Sequence, residues 1–432
     1  MKNVLLIGSH FPPSNLASVH RVRLFESNLR QFGWNPTVLA VHYEDYMEEL
    51  DWDLARLIPD TARVEWVRAS VPMLTVGSMR LLGDVTLRSL LPLVRRAVEL
   101  VEREGVDFVH AFIPSFYGAL VARAVHDRTG VPYGIDYIDP WVEPNEYPFG
   151  SKAWLTQRLA RRLEPWAVRK ASLITGVAEG YYNAVLDRNP HLRDAVTAAM
   201  PYGGDTADHQ RVRELGIEPW LFEPDGRFRL LYAGALLPQA FEPLDRVFSA
   251  IAADRDAYGD LELFFVGTGS SPDDTEGYQV RAIAERHGLW ESVVREHPAR
   301  IPYLAVLAHL EAAAGVFIQG STEPHYTPSK VYQGVLSEKP ILAVLHEASQ
   351  ACDVLRQTGV GVVLPFDGPR GLDTIASSFL GAFRRFRAFA ESFNPTEADH
   401  TAFEAYSARS VTGLLAEALN AAVQRSSAPV AG

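Results

Sequence analysis

The sequence predicts an α/β protein built as two doubly wound units, each a parallel sheet covered by helices on both faces. Short apolar runs rich in β-branched and aromatic residues alternate with segments of helical spacing. That alternation stops at a polar Pro/Asp/Gly-containing stretch over 219–226 and then restarts. A chain of 432 residues also exceeds one ordinary core and fits two.

In the first half, the runs at 4–7, 36–41, 64–67, 108–111, 133–137 and 173–175 read as buried strands. Between them Val22, Phe25, Leu29 and Phe32, and then Leu90, Val94, Val98 and Val101, place apolar side chains on one helical face. The second series runs through 228–232, 261–266, 293–294, 316–318, 341–344 and 360–364. Tyr202-Gly203-Gly204-Asp205 reads as a turn, which divides the chain into domains at 1–205 and 206–394. A closing helical segment over 395–432 is expected to pack back across both domains, with a frayed tail from Ser426.

Composition narrows the function classes. Hydrophobic residues at 47% and charged residues at 22% are those of a folded globular protein. The net charge of -12, spread along the chain, disfavours nucleic acid as a partner. Cys352 is the only cysteine, so neither an intramolecular disulfide nor a thiolate metal cluster is available to one chain, and a reducing cytoplasm is the expected location. No run of ~18 apolar residues is present to span a membrane, and the first apolar stretch is too short for a signal peptide.

Several stretches share a further pattern. His10-Phe11-Pro12-Pro13 follows the first strand, with Ser18 and Arg21 entering a helix and Gly33 before the second strand. Asp107-Phe108-Val109-His110-Ala111, Asp136-Tyr137-Ile138-Asp139-Pro140-Trp141, Leu163-Glu164 and Ala171-Ser172-Leu173-Ile174-Thr175 lead to the turn at Tyr202. Tyr232-Ala233-Gly234, Phe265-Val266-Gly267-Thr268-Gly269 and Pro328-Ser329-Lys330 to Lys339-Pro340-Ile341 complete the series. In this order, over nearly the whole chain, they resemble glycosyltransferase family 4. The resemblance implies the GT-B architecture, two Rossmann-like domains with parallel sheets facing a central cleft. It implies a hexosyltransferase-like enzyme that moves a sugar from a nucleoside diphosphate donor with retention, without metal or other cofactor. The acceptor would be a polysaccharide, a lipid-linked molecule or a natural product.

The resemblance carries residues with it. The donor side would comprise Gly234, Gly267, Gly269, Arg300, His325, Thr327, Ser329, Lys330 and Gln333. His110 and Asp139, read as lying at carboxyl ends of strands, are the catalytic candidates, and His10 and Arg21 the acceptor-side ones. The sequence departs from the family at three places. His325 and Gln333 stand where the family has two glutamates, Ala235-Leu236-Leu237 follows Gly234 where it has an arginine and a lysine, and Phe112 replaces a cleft histidine. These departures set a catalytically silent protein that binds a sugar nucleotide or a protein partner beside the transferase.

The residues themselves allow two readings at most positions. Thr327-Pro328-Ser329-Lys330 opens a helix whose amides and dipole suit an anion, with Lys330 restoring the charge missing after Gly234; it also reads as an ordinary cap with a solvent-facing lysine. Gly267-Thr268-Gly269 is a ligand approach or a tight turn, and Arg300 a base-stacking group or a surface arginine. Asp139 orients a sugar or caps the turn at Pro140. His110 is an acid-base group or a core histidine, while Arg21 and His20 meet an acceptor phosphate or form a helix-surface pair. Residues 154–170 interleave Arg158, Arg161, Arg162, Arg169 and Lys170 with Leu155, Leu159, Leu163 and Trp166. They form a basic amphipathic helix for peripheral contact with an anionic membrane, or a half-buried helix under the first sheet.

Overall fold

The computed structural model describes every residue except 77–78, 114, 144, 224, 270–275, 325 and 428–432, and gives only the backbone of 74–76 and 79–82. It divides into two compact units, one formed by Met1–Tyr202 with the segment from Ala408 onward, the other by Gly203–Ser407.

In the first unit the strands are β1 (Lys2–Ile7), β2 (Trp34–Val41), β3 (Val64–Val67), the short β4 (Leu74–Val76) and β5 (Met79–Leu82), then β6 (Phe108–Phe112), β7 (Tyr133–Tyr137), β8 (Leu173–Gly176) and β9 (Val196–Ala199). Seven of them form one sheet in the order β3-β2-β1-β6-β7-β8-β9, and β4 and β5 pair separately as an antiparallel hairpin. Each pairing in the seven-stranded sheet is parallel, as strand–helix alternation requires. Strand β9 and the hairpin go beyond the sequence reading. Val196-Thr197-Ala198-Ala199 is a small-residue edge strand that is only partly buried, so it lacks the long apolar run of a central one.

Both faces of this sheet are covered. Leu5, Ile7, Leu39, Val109, Ile135 and Ile174 pack against Leu93, Ala97, Leu100, Val121 and Val125 on one face. On the other, Val4, Leu6, Val38, Phe108 and Phe112 meet Val22, Phe25 and Leu29 of the helix Ala17–Asn28 and its continuation. The closing helix Ala408–Ser427 packs there too, through Val411, Leu415 and Leu419. The segment expected to act as one closing element is therefore split at Ser407, its earlier part lying with the second unit.

The second unit contains β10 (Phe228–Ala233), β11 (Leu261–Val266), β12 (Val294–His297), β13 (Gly315–Gln319), β14 (Ile341–His346) and β15 (Gly361–Phe366). They form a parallel sheet in the order β12-β11-β10-β13-β14-β15. Strand order reverses between β1 and β6 in the first unit and between β10 and β13 in the second. In open α/β sheets, the carboxyl ends of strands beside such a reversal are where ligands bind.

Candidate functional site

At the reversal in the second unit, β10 ends in Ala233 and the chain turns through Gly234, whose φ of 104° is accessible to glycine with least strain. Gly234 donates its amide to Val266 O at 2.7 Å, joining this turn to the end of β11. Gly267 follows β11 at φ 69° and donates to His297 O at 2.8 Å, while Gly269 donates to Pro298 O at 2.9 Å. A Cβ on Gly267 would lie 3.7 Å from Gly234 Cα and 3.8 Å from Arg300 Cα. Three sequence-distant candidates, Gly234, Gly267 and Arg300, thus share one neighbourhood.

Lys330 completes it. It opens the short helix Lys330–Leu336, whose N-terminal residue Ser329 makes no side-chain cap. Lys330 Nζ donates to the Tyr232 hydroxyl at 2.8 Å and to Ala235 O at 3.1 Å, and lies 4.5 Å from the centre of the Tyr232 ring. A Cβ on Gly234 would come within 3.0 Å of Lys330 Cε, so the glycine makes room for the lysine. The ammonium is therefore laid along the very loop that lacks basic residues. Burial and then the charge of Arg300 lower its pKa to about 7. Among the described residues its bonds are to the hydroxyl and the carbonyl, and no carboxylate pairs with it.

Other donor-side candidates are placed less decisively. Thr327 and Ser329 are partly buried just before Lys330, and Gln333 lies one turn into the helix with its Oε1 buried and unpartnered among the described residues. His325 lies outside the described residues. In the sequence Tyr232 stands out only as part of the Tyr232-Ala233-Gly234 motif, yet it supplies the acceptor that positions Lys330. Its signal was its place at the carboxyl end of β10, one residue before the turn.

In the first unit, Arg21 is 1% exposed and fully engaged. Its Nε and Nη2 donate to the two Asp136 carboxylate oxygens at 2.6 and 2.9 Å, and Nη1 donates to Met200 O and Pro201 O at 2.7 and 3.1 Å. The structure thus places Arg21 in an internal ion pair, away from solvent where an acceptor would arrive. Thr175 donates its hydroxyl to Asp136 at 2.5 Å. Burial pushes the Asp136 pKa up, but Arg21, His110 and Thr175 bring it below the usual carboxylate value.

His110 lies inside β6, not at its carboxyl end, and is closed from solvent. Its Nε2 is 3.4 Å from Thr175 Oγ1, and a Cβ on Gly134 would meet its Nδ1 at 2.8 Å. Burial holds its pKa down to about 4, so the ring is neutral. Phe112, in the same strand, stacks on Phe25.

His10 and Asp139 are the first-unit candidates nearest to solvent. His10 follows β1 at the reversal, stacks near Tyr46 and lies 3.7 Å from Glu48. Burial lowers its pKa against the opposing pull of Glu48 and Asp84. Ser14 donates its hydroxyl to Glu48, and His20 sits 3.1 Å from Asn15 Oδ1. Asp139, just beyond β7, is exposed; the protein packed around it and then Glu143 nevertheless raise its pKa. Glu48 was not singled out in the sequence, because a carboxylate in an irregular loop carries no local pattern.

The helix Lys152–Val168 turns Gln157, Ala160, Glu164, Ala167 and Val168 inward, leaving Leu155, Leu159 and Trp166 exposed. Among the described residues no helix is long and apolar enough to cross a membrane.

Residues 18–203 match the family described as Glycosyl transferase 4-like domain. No curated protein matches the sequence. Among solved structures, HepE from Anabaena in complex with UDP is similar over 98% of this chain and 100% of its own, with a TM-score of 0.60 and 16% identity. A glycosyltransferase from Rickettsia africae gives a TM-score of 0.62 at 11% identity, covering 98% of this chain and 99% of that one. Sucrose-phosphate synthase from Thermosynechococcus elongatus gives 0.58 at 16%, covering 98% and 97%. At these identities the structural likeness speaks to fold. The two Rossmann-like units have the GT-B fold, and within it residues 18–203 are similar to a glycosyl transferase 4-like domain.

Proposed function

We propose that the protein is a glycosyltransferase that binds a nucleoside diphosphate sugar in its second unit and transfers the sugar with retention of configuration. One observation carries the reading: Lys330, without a carboxylate partner among the described residues, lies along the Gly234 loop at the strand reversal. A departing diphosphate brings the negative charge that this lysine lacks. The lysine and Arg300, gathered beside Gly234 and Gly267, stabilise that charge as the sugar–phosphate bond breaks. Tyr232 holds the ammonium in place through its hydroxyl. In this reading charge neutralisation falls to these groups, with no metal or other cofactor.

UDP and UDP-glucose bound to HepE make uridine donors the first to test. The acceptor in this reading is a polysaccharide, a lipid-linked molecule or a natural product. Asp139 and His10, at the strand ends of the first unit, are proposed to orient it. A cytoplasmic site of action fits the single buried thiol. A second reading, a silent protein that binds a sugar nucleotide, is favoured by Ala235-Leu236-Leu237 and by Gln333 in place of charged groups.

A thermal-shift panel of UDP-, GDP- and ADP-sugars, followed by product analysis, separates these readings. At a hundred times its dissociation constant a ligand stabilises by about 2.7 kcal/mol. Stabilisation with product supports transfer, stabilisation without hydrolysis or transfer supports the silent reading, and no stabilisation by any donor defeats both.

A further inference from the structure

The helix Lys152–Val168 carries more apolar surface than its core-facing side, lined by Ala160, Ala167 and Val168, uses. Its inward residues include Gln157 and Glu164, the latter paired with Arg188 at 2.9 Å. Three large apolar residues face out, with Leu163 packed on the core: Leu155 is 64% exposed, Leu159 44% and Trp166 44%. Spacings of four and seven residues put these on one side of the helix. Phe149, 87% exposed on the preceding turn, extends the apolar surface and lies edge-on to Trp154. Single exposed leucines are ordinary, but a row of them joined by two aromatics marks an interaction surface.

The charge around this row is of one sign. Lys152, Arg158, Arg161, Arg162, Arg169 and Lys170 are all exposed, while the helix's one acid, Glu164, points inward. Among the described residues, Lys152, Arg158, Arg161, Arg162 and Arg169 make no ion pair with a carboxylate; Lys170 meets Asp127 at 3.1 Å. This cationic patch occurs on a chain of net charge -12.

We propose that this face docks the first unit onto an anionic lipid bilayer, with the helix in the plane of the interface. Leucines and aromatics would enter the headgroup–acyl boundary while the arginines meet lipid phosphates. Charge complementarity selects this occupant: a neutral apolar partner would leave the cations unused, whereas an anionic bilayer offers phosphates to the arginines and an acyl boundary to the leucines. The proposal does not depend on donor chemistry, so its failure leaves the donor site untouched.

Flotation of the full-length protein, without nucleotide, tests it using vesicles of phosphatidylglycerol with phosphatidylcholine against phosphatidylcholine alone. We expect flotation with the anionic vesicles only, weakened by raised salt. Leu155→Ser with Leu159→Ser, and separately Arg158→Glu with Arg162→Glu, should each reduce binding by roughly tenfold or more. Circular dichroism and the thermal midpoint of both variants should match the parent, since the altered side chains are exposed. No flotation, equal flotation with neutral vesicles, or binding unchanged in either variant overturns the proposal. So does a dimer, seen by sedimentation in the absence of vesicle binding and abolished by the serine variants.

Discussion

The two units place charge near the carboxyl ends of their sheets in opposite ways. In the first, Arg21, Asp136, Thr175 and two backbone carbonyls satisfy one another, and the ion pair is sealed from solvent. In the second, Lys330 rests on a hydroxyl and a carbonyl, with Arg300 as a like charge nearby. The amino-terminal end of that same second sheet is not built this way, because Arg229 there pairs with both Glu262 and Asp225. Lys330, without a carboxylate partner among the described residues, thus stands in contrast to Arg229 at the other end of the same sheet. An internally matched pair holds a fold together, whereas an unmatched cation at a strand end is suited to an anion arriving from outside.

The largest effect is expected from removing the counter-charge in the first cluster. Asp136→Asn leaves the buried Arg21 charge uncompensated and should cost about 3–5 kcal/mol of stability in urea unfolding. If the variant keeps its stability and loses only transfer activity, Arg21 and Asp136 belong to a ligand site and the contrast fails. The converse change is Lys330→Met. It should leave unfolding of the ligand-free protein little altered or slightly improved, since it removes a charge held against burial. Transfer should fall by about two to three orders of magnitude, the cost of removing one donor from a developing oxyanion. A smaller effect is expected from Gly134→Ala. The added methyl would meet His110 Nδ1 at 2.8 Å and Leu173 Cβ at 2.9 Å, so overpacking of about 1–3 kcal/mol should appear in the same unfolding assay.

Strands and helices were legible because their periods are local. Runs such as Leu261–Val266 are buried throughout, and a buried parallel strand has that continuous apolar pattern. Depth and partnership were not local. Arg21 reads as a surface arginine on a helix until Asp136, 115 residues away, is folded against it. His110 was read one step too near a strand end, and its burial depends on Gly134 and Thr175 from neighbouring strands. The helix Lys152–Val168 was recognisable as amphipathic, but spacing does not state which face turns inward; the small and polar side did. The proximity of Lys330 to the Gly234 loop was anticipated from the missing cations, and the role of Tyr232 in holding it was not.

The most direct test of the unmatched cation is calorimetric binding of UDP-, GDP- and ADP-glucose at pH 6 and pH 8.5. In these diesters the phosphates do not titrate across the range, so a pH effect reports the protein. With a Lys330 pKa of about 7 in the ligand-free protein, raised by a bound diphosphate, affinity should be full below pH 7. It should fall by up to roughly tenfold per unit above that. The account predicts this loss in the parent and weak, pH-independent binding in Lys330→Met. Equal affinity of parent and Lys330→Met at both pH values would contradict it.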